Sequence, residues 1–399
     1  MNAHDSTPDT TFENVVLSLR QALTSEDVPL AKRFRALFSL KHLATQQPAN
    51  RRTSEAIQAI AAAFTSPSAL LKHELAYCLG QTKNLEAAPF LRHVLEDREQ
   101  DEMCRHEAAE ALGALGDISS VELMKHLRDN EDQPEVVRET CDIAVDRIIW
   151  ENSEAREKEK LKASDFASID PAPPISLESN QFRISDLKSR LMDTSLSLFQ
   201  RYRAMFALRD LASPPDIPSA VPAIEALAAG FNDPSALFRH EIAFVFGQLS
   251  HPASIPSLVA TLSKTNEASM VRHEAAEALG TLGDEPGVED ILKTFLDDPE
   301  QVVRESVVVA LDMAEYEKNG EMEYAMFPPD SISDKSIFSD SNLTTSCAWK
   351  GISSYYNINV NGDILKDAAW YYPAPKEAAQ NIKDHVAFYK TKVQVSIED

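Results

Sequence analysis

The sequence lacks three features that would each assign a broad class of protein. Its four cysteines are far apart and form no Cys-x-x-Cys pair, which argues against a zinc ribbon or a disulfide framework and favours a reducing compartment. No apolar run approaches the roughly 18 residues that a membrane helix needs. The N-terminus has no apolar stretch of the kind found in signal peptides. We therefore predict a soluble intracellular protein, cytoplasmic or nuclear, that binds no membrane.

Basic residues are also in short supply. The chain has 39 Lys and Arg against 63 Asp and Glu, and its formal net charge is −24. Because phosphate contacts require clustered Lys and Arg, we predict no nucleic-acid partner. An acidic surface favours basic partners, but it is equally typical of an ordinary soluble cytosolic protein.

The chain repeats itself at two levels. Residues 105–113 and 272–280 have the same sequence, Arg-His-Glu-Ala-Ala-Glu-Ala-Leu-Gly, and a second match begins at Pro67 and Pro234. The offset between the copies is close to 167 residues, so the chain is a tandem duplication. Each half is itself periodic, since its central histidines are 33 residues apart.

A repeat of this length suits two helices of about 12 residues plus two turns, which is the unit of a helical solenoid. The stretches between turns are rich in Ala and Leu, with apolar residues three and four apart. Gly113 and Gly280 stand where a left-handed C-terminal cap is expected. We predict an all-α protein, an α-α solenoid in two pseudo-symmetric halves of four helix pairs each, at residues 14–150 and 185–320.

The segment at 151–184 joins the two halves and differs from them in composition. It is charged and rich in proline, with few large apolar residues. Such a stretch does not bury enough surface to offset its ordering entropy. We predict a flexible linker, which would let the two halves face one another across a cleft.

The last part of the chain, residues 325–399, does not follow the repeat. Aromatic and β-branched residues concentrate there, and Asn361-Gly362 predicts a tight turn after a strand. This β-rich extension resembles a small domain family of unknown function, of which only the later part is recognisable. Two interpretations of it stay open, a truncated fused domain and an error in the gene prediction, and no activity is assigned to it.

Four of the ten histidines occur as His-Glu dipeptides. They are His73-Glu74, His106-Glu107, His240-Glu241 and His273-Glu274. Each is expected early in the second helix of its repeat, and equivalent helices of adjacent repeats stack about 10 Å apart. Because neighbouring residues on one helix diverge by about 100°, two adjacent helices are needed to bring two His and a carboxylate to one ion.

A duplicated dipeptide also arises when a solenoid simply reuses its packing consensus. The other repeats test this alternative. At the same slot the first repeats have Arg-Phe-Arg at 33–35 and Arg-Tyr-Arg at 201–203, and the fourth have Arg-Glu-Thr at 138–140 and Arg-Glu-Ser at 304–306. The basic residue persists, but His-Glu is confined to the two central repeats of each half. Burying four His and four Glu without a partner for their charge is costly, so the pattern predicts a metal site.

The ligand types favour iron over zinc. Two His and one carboxylate per ion, with open positions, is typical of non-haem Fe(II) oxygen chemistry. The zinc-protease motif His-Glu-x-x-His is absent, because Glu110 and Glu277 stand where its second His belongs. We expect two ions, one from each half, that bind O₂ between them.

Eight repeats in two halves, with His-Glu in the second and third repeat of each, resemble the deoxyhypusine hydroxylase family of HEAT-repeat di-iron monooxygenases over roughly residues 14–320. That family uses O₂ to hydroxylate the deoxyhypusine side chain of eukaryotic translation initiation factor 5A. The resemblance implies two Fe²⁺ per chain, O₂ as co-substrate and an unidentified electron donor. It assigns one iron to His73, His106 and Glu107 and the other to His240, His273 and Glu274. Glu74 and Glu241 either ligate iron or, as we favour, act in catalysis by receiving the substrate's ammonium group.

Two other interpretations remain open. A non-catalytic HEAT-repeat scaffold or adaptor would hold a partner on its concave surface. A chromophore lyase built on related short repeats lacks the fourfold His-Glu set. Both interpretations predict a protein without stoichiometric iron, so metal analysis separates them from a hydroxylase.

Overall fold

The computed structural model describes residues 10–46, 48–159, 161, 164–176 and 183–319. All regular structure in these residues is helical. The first half contains α1 Thr10–Thr24, α2 Leu30–Ala44, α3 Arg51–Ala61, α4 Ala69–Gly80, α5 Ala88–Glu96, α6 Glu102–Leu115, α7 Val121–Arg128 and α8 Glu135–Glu151. The short helix α9 Glu154–Lys158 follows. The second half contains α10 Ile184–Met192, α11 Leu198–Leu211, α12 Ala220–Ala228, α13 Ala236–Leu249, α14 Ile255–Leu262, α15 Ser269–Gly280, α16 Val288–Lys293 and α17 Gln301–Asn319.

The helices form four pairs in each half, as the periodicity predicts. The second helices of successive repeats stack on one another, α4 on α6 and α6 on α8, then α13 on α15 and α15 on α17. The predicted all-α solenoid is therefore confirmed. Among the described residues, no helix has the length and apolar character to span a membrane. The predicted β-rich extension at 325–399 lies outside the described residues.

The arginines that precede two of the four His-Glu dipeptides hold the helix pairs together. Arg105 Nε donates to the carbonyl oxygen of Leu95 at the end of α5, over 3.0 Å, and Arg272 Nε donates to that of Leu262 over 2.9 Å. Arg105 also reaches Gln133 in the following loop. The same clamp recurs at Arg33 and Arg201. These arginines fill a packing slot, which explains why a basic residue persists in repeats that lack His-Glu.

Gly113 and Gly280 are not left-handed caps, so that expectation is wrong. The left-handed glycine that ends α6 is Gly116, with φ 68°. A Cβ on Gly280 would lie 2.9 Å from the Cα of Ala310, closer than real Cβ atoms come. The glycines are needed because the helix of the next repeat touches the backbone at this point.

The two halves contact each other at both ends, through two seams. At the first seam α8 packs against α11 and α13, and at the second α17 packs against α2 and α4. Ser235 Oγ donates to Glu139 at the first seam, and Ser68 Oγ donates to Glu305 at the second, each over 2.7 Å. Glu139 and Glu305 occupy, in the fourth repeats, the slot that holds His-Glu in the central ones. The central repeats of both halves therefore face each other.

Residues 164–170, here called the strap, cross the first seam. The strap touches the first half where the Ile169 backbone N–H donates to Gln81 Oε1 over 2.8 Å. It touches the second half where Asp170 accepts from Arg209 Nη1 over 2.7 Å. Phe166 is 6% exposed, and its ring lies 4.2 Å below the Arg209 guanidinium. At Phe166 and Asp170 the strap departs from the solvated linker expected at 151–184, because the buried Arg209 requires a counter-charge that Asp170 provides.

Candidate metal centre

The four predicted histidines lie together in one buried cluster. Five pairs of their ring centroids are separated by 5.1 to 5.8 Å. Their exposed fractions are between 0 and 5%. The cluster takes two rings from each half: His73, His106, His240 and His273.

Helix register places these rings. Each histidine is the fifth residue of its helix, in α4, α6, α13 and α15. Three of the helix starts are fixed by a side-chain cap: Ser68 accepts from the Leu71 N–H, Ser235 accepts from the Phe238 N–H, and Asp101 caps α6. Equal register on stacked helices brings the same side of each helix to the same depth, so the His-Glu dipeptides meet.

The carboxylates of the third repeats face the histidines of the second repeats. Glu107 Oε2 lies 3.3 Å from His73 Nε2, and Glu274 Oε2 lies 3.4 Å from His240 Nε2. Three sets of residues bring their donor atoms within 4.8 Å of one another: His240, His273 and Glu274; His73, His106 and His240; His106, Glu107 and Glu110. The three ligands predicted for the second half, His240, His273 and Glu274, thus form one of these sets. The three predicted for the first half do not form one set: His73 and His106 belong to one set, His106 and Glu107 to another, and His106 is common to both.

The ring nitrogens of this cluster fit a metal site. His73 Nε2 and both ring nitrogens of His106, His240 and His273 are buried without a hydrogen-bond partner among the described residues. A buried polar atom without a partner costs free energy, and proteins contain few of them. Seven such atoms in one place are accounted for if several of them ligate metal ions.

Burial also sets the charge state of three of the histidines, His73, His106 and His273. It lowers the pKa of His73 to about 4 and holds the pKa values of His106 and His273 well below the usual range. These imidazoles are therefore neutral, the form that binds metals. Burial raises the pKa of Glu107 to about 8. Carboxylates that ionise reluctantly in isolation become good ligands beside a cation, which removes the cost of their charge.

Comparison with known proteins identifies the family. A family model described as HEAT repeats matches residues 57–144 and 201–312. The deoxyhypusine hydroxylase of Aspergillus clavatus is 72% identical over 325 residues, which cover 82% of this chain and 96% of that protein. The chain belongs to the deoxyhypusine hydroxylase family. The deoxyhypusine hydroxylase of Coccidioides immitis is 74% identical over 311 residues, 78% of this chain and 93% of that protein.

A solved structure gives the same family. The structure of human deoxyhypusine hydroxylase in complex with glycerol is 44% identical, with a TM-score of 0.67, and the match covers 77% of this chain and 98% of that one. The resemblance to the deoxyhypusine hydroxylase family is thus confirmed. A further model, described as a domain of unknown function (DUF427), matches residues 316–399, the predicted extension, and implies no activity for it.

Two carboxylates beside the cluster were not among the predicted site residues. Glu277 Oε1 lies 3.6 Å from His273 Nδ1 and accepts from Ser306 Oγ over 3.5 Å. Glu110 belongs to the set that contains His106 and Glu107. From the sequence they served only to exclude the zinc-protease motif. Their position four residues after a histidine, on the same side of the helix, was the signal that could have found them.

Glu74 and Glu241 occupy equivalent positions on α4 and α13 and are 3% and 2% exposed. Burial raises the pKa of both well above the usual range. The Lys41 ammonium opposes this rise at Glu74. At Glu241 the neighbouring charges that follow burial are negative, those of Glu110 and Asp170 first. In this deoxyhypusine hydroxylase family member the two carboxylates therefore have unlike surroundings.

Proposed function

We propose that the protein is a deoxyhypusine hydroxylase, an O₂-dependent monooxygenase that converts the deoxyhypusine side chain of eukaryotic translation initiation factor 5A to hypusine. The observation that carries this proposal is the buried cluster of four histidines, two from each half, in which seven of the eight ring nitrogens lack a hydrogen-bond partner among the described residues. Membership of the deoxyhypusine hydroxylase family supports the same reaction and a protein substrate.

Two Fe²⁺ ions are the proposed cofactor, each held by two histidines and one carboxylate. His73, His106 and Glu107 would hold one ion, and His240, His273 and Glu274 the other. The close approach of Glu107 to His73 and of Glu274 to His240 supports this division. Such ligand sets leave open positions, and iron bound in them supplies O₂ activation.

The protein's own residues have three tasks in this reaction. Neutral histidines keep their ring nitrogens available, and burial excludes water, which strengthens every charge interaction in the site. Glu74 and Glu241 are proposed to receive the ammonium end of the substrate. Insertion of one oxygen atom into a C–H bond, with the other reduced to water, consumes two electrons and two protons. An external electron donor is therefore part of the proposal.

Metal analysis of the purified protein tests the proposal. We expect two irons per chain, and we expect His106→Ala and His273→Ala to lose iron and activity while circular dichroism shows intact helices. His126→Ala removes an exposed histidine of α7 and serves as the control. A wild-type protein that binds no stoichiometric iron under reducing, iron-replete conditions would support the scaffold interpretation instead.

A further inference from the structure

The surroundings of Glu74 and Glu241 differ although the two carboxylates are equivalent in the duplication. Cys78, one turn after Glu74, donates its thiol to Glu74 Oε1 over 3.8 Å. The equivalent residue one turn after Glu241 is Val245, which has no donor. Glu241 Oε1 is buried and has no hydrogen-bond partner among the described residues. Glu74 thus accepts a hydrogen bond from its own helix, whereas one carboxylate oxygen of Glu241 has no hydrogen-bond donor among the described residues.

A buried cation follows the same division. Lys41 in α2 is 7% exposed, its ammonium lies 4.7 Å from the Tyr77 ring centroid, and its charge acts on Glu74. The equivalent residue in α11 is Arg209. Both halves therefore have a cation at this position. The halves differ in the carboxylate with which that cation interacts.

Arg209 is engaged by the strap and its neighbours. It is fully buried, and its Nη1 donates to Asp170 over 2.7 Å and to Gln248 over 2.9 Å. Its Nη2 donates to Asp210 over 3.0 Å. The guanidinium carries one positive charge and meets two carboxylates, so the group as a whole is not positive, and the charge of this group that acts on Glu241 is the negative one of Asp170.

We infer that Asp170 determines the direction in which a cationic side chain lies across this pseudo-symmetric site. Of the two carboxylates proposed above to receive the substrate's ammonium group, Glu241 is then the one that binds it: Asp170 compensates the charge of Arg209 on that side, whereas the Lys41 ammonium already acts on Glu74. This inference rests on the proposed function for the identity of the substrate. Asp170 is a positioning residue, because it acts through Arg209 rather than by touching the substrate.

Affinity measurements on the iron-loaded full chain test this assignment. The variants are Asp170→Asn, Glu241→Gln and Glu74→Gln, alone and in pairs, and the probes are the deoxyhypusine-bearing factor and free butane-1,4-diamine. Asp170→Asn releases the charge of Arg209 toward Glu241 and should raise the Kd for both probes about tenfold, as should Glu241→Gln. The double variant Asp170→Asn/Glu241→Gln should bind each probe no more weakly than the single variant with the higher Kd. The reason is that Arg209 then has no negative charge at Glu241 to cancel. Asp170→Asn and Glu74→Gln should be additive.

A matched strap variant separates charge from structure. Ser168→Ala removes the contacts of Ser168 with Gln248 and Asp170 and keeps the carboxylate. It should bind both probes as the wild type does. Unchanged affinity in Asp170→Asn, an equal loss in Ser168→Ala, or coupling of Asp170 to Glu74 rather than to Glu241 would each overturn the inference.

The two probes keep this inference distinct from the proposed function. If the factor is not hydroxylated but diamine binding depends on Asp170 and Glu241, the proposed function is wrong and the positioning role stands. If the factor is hydroxylated and the affinity for the diamine does not depend on Asp170, the proposed function stands and the positioning role of Asp170 is wrong. A wild-type protein that does not bind the diamine at all also overturns the positioning role.

Discussion

The two seams join equivalent surfaces but do so with different contacts. At the second seam Arg35 forms a two-pronged ion pair with Asp312 of α17, the shorter contact being 2.7 Å. At the first seam the equivalent arginine, Arg203, pairs with Glu159 and donates to the carbonyl oxygens of Pro173 and Pro174. At the first seam, the arginine therefore contacts the segment that connects the two halves, whereas at the second seam the equivalent arginine contacts a helix of the other half.

This difference separates what duplication preserves from what it changes. The proposed metal ligands and their register are the same in both halves, because the helices that carry them are copies. The residues around the ligands differ wherever the joining segment passes, as at Arg209. A pseudo-symmetric centre can therefore serve an asymmetric substrate. The following predictions test this division, from the largest effect to the smallest.

Loss of metal from matched ligand variants tests the symmetric part. Glu107→Gln and Glu274→Gln should each lose at least tenfold in iron affinity, since a neutral amide is a poor replacement for a carboxylate ligand. Glu241→Gln should retain iron and weaken binding of the deoxyhypusine-bearing factor. Iron titration of the reduced apoprotein measures both effects. If Glu241→Gln released iron and Glu274→Gln did not, the roles of the two carboxylates would be reversed.

Truncation of Phe166 tests how strongly the strap holds the first seam. Phe166→Ala removes a buried ring and its stacking on Arg209, and should lower the free energy of unfolding by about 2–3 kcal/mol. Phe166→Leu keeps most of the apolar contact and should cost about 1 kcal/mol. Denaturant titration of the metal-loaded protein measures both. Equal stability of the alanine variant and the wild type would show that the strap contributes nothing to the seam.

A pair of equivalent glycines tests how closely the two solenoid halves match in packing. A Cβ on Gly80 would lie 2.8 Å from the backbone of Ala111, whereas one on Gly247 would lie 3.5 Å from Ala278, an ordinary contact. Gly80→Ala should therefore destabilise the protein by about 1–3 kcal/mol. Gly247→Ala should be neutral or stabilise it by up to about 1 kcal/mol through helix propensity. Similar free energies of unfolding for the two variants would contradict this difference between the halves.

Glu139 makes the stability of the first seam depend on pH. Burial raises its pKa to about 7, against a usual value near 4.5, with the hydrogen bond from Ser235 opposing the rise. The stability that protonated Glu139 contributes is complete below pH 4.5, where the residue is protonated in both the folded and the unfolded protein. This stability is lost as the pH rises through 7. Because Glu139 is partly exposed, we expect about 1–2 kcal/mol, less than the full shift implies.

The comparison of Glu139→Gln with the wild type at pH 5 and pH 8 measures this effect. The glutamine still accepts from Ser235 and carries no charge, so the variant should be the more stable protein at pH 8 and differ little at pH 5. Glu131→Gln, on an exposed loop, controls for the loss of one negative charge. If the wild type were as stable as Glu139→Gln at pH 8, the ionised Glu139 carboxylate would not destabilise the first seam.

Local pattern was enough to predict the solenoid and the four histidines that it brings together. The duplicated nonapeptide and the 33-residue spacing place His106 and His273 on equivalent helices, and the selective use of His-Glu sets the clustered histidines apart from packing residues. Glu110 and Glu277 were missed although they stand in the same nonapeptide. They were used only as evidence against another motif, and their nearness to the cluster depends on helix stacking.

Non-local contacts explain the other differences between prediction and structure. Gly280 was expected to end a helix through its own backbone conformation, but the Cα of Ala310 on another repeat is what requires a glycine there. The strap was predicted to be part of a solvated linker because the composition of residues 151–184 is polar. The burial of Phe166 and Asp170 depends on Arg209, which is distant in sequence, and composition does not report a buried counter-charge.

The seam contacts have a property that bears on the origin of the molecule. Ser68 meets Glu305 and Ser235 meets Glu139, so each half offers the other the same donor and the same acceptor. Reciprocal contacts of this kind define an isologous interface, the type formed by a two-fold symmetric homodimer. One half paired with a copy of itself would bring together four fifth-position histidines in the same way. The present chain has the arrangement expected of such a homodimer whose two subunits were fused, after which the joining segment gave the two sides different surroundings.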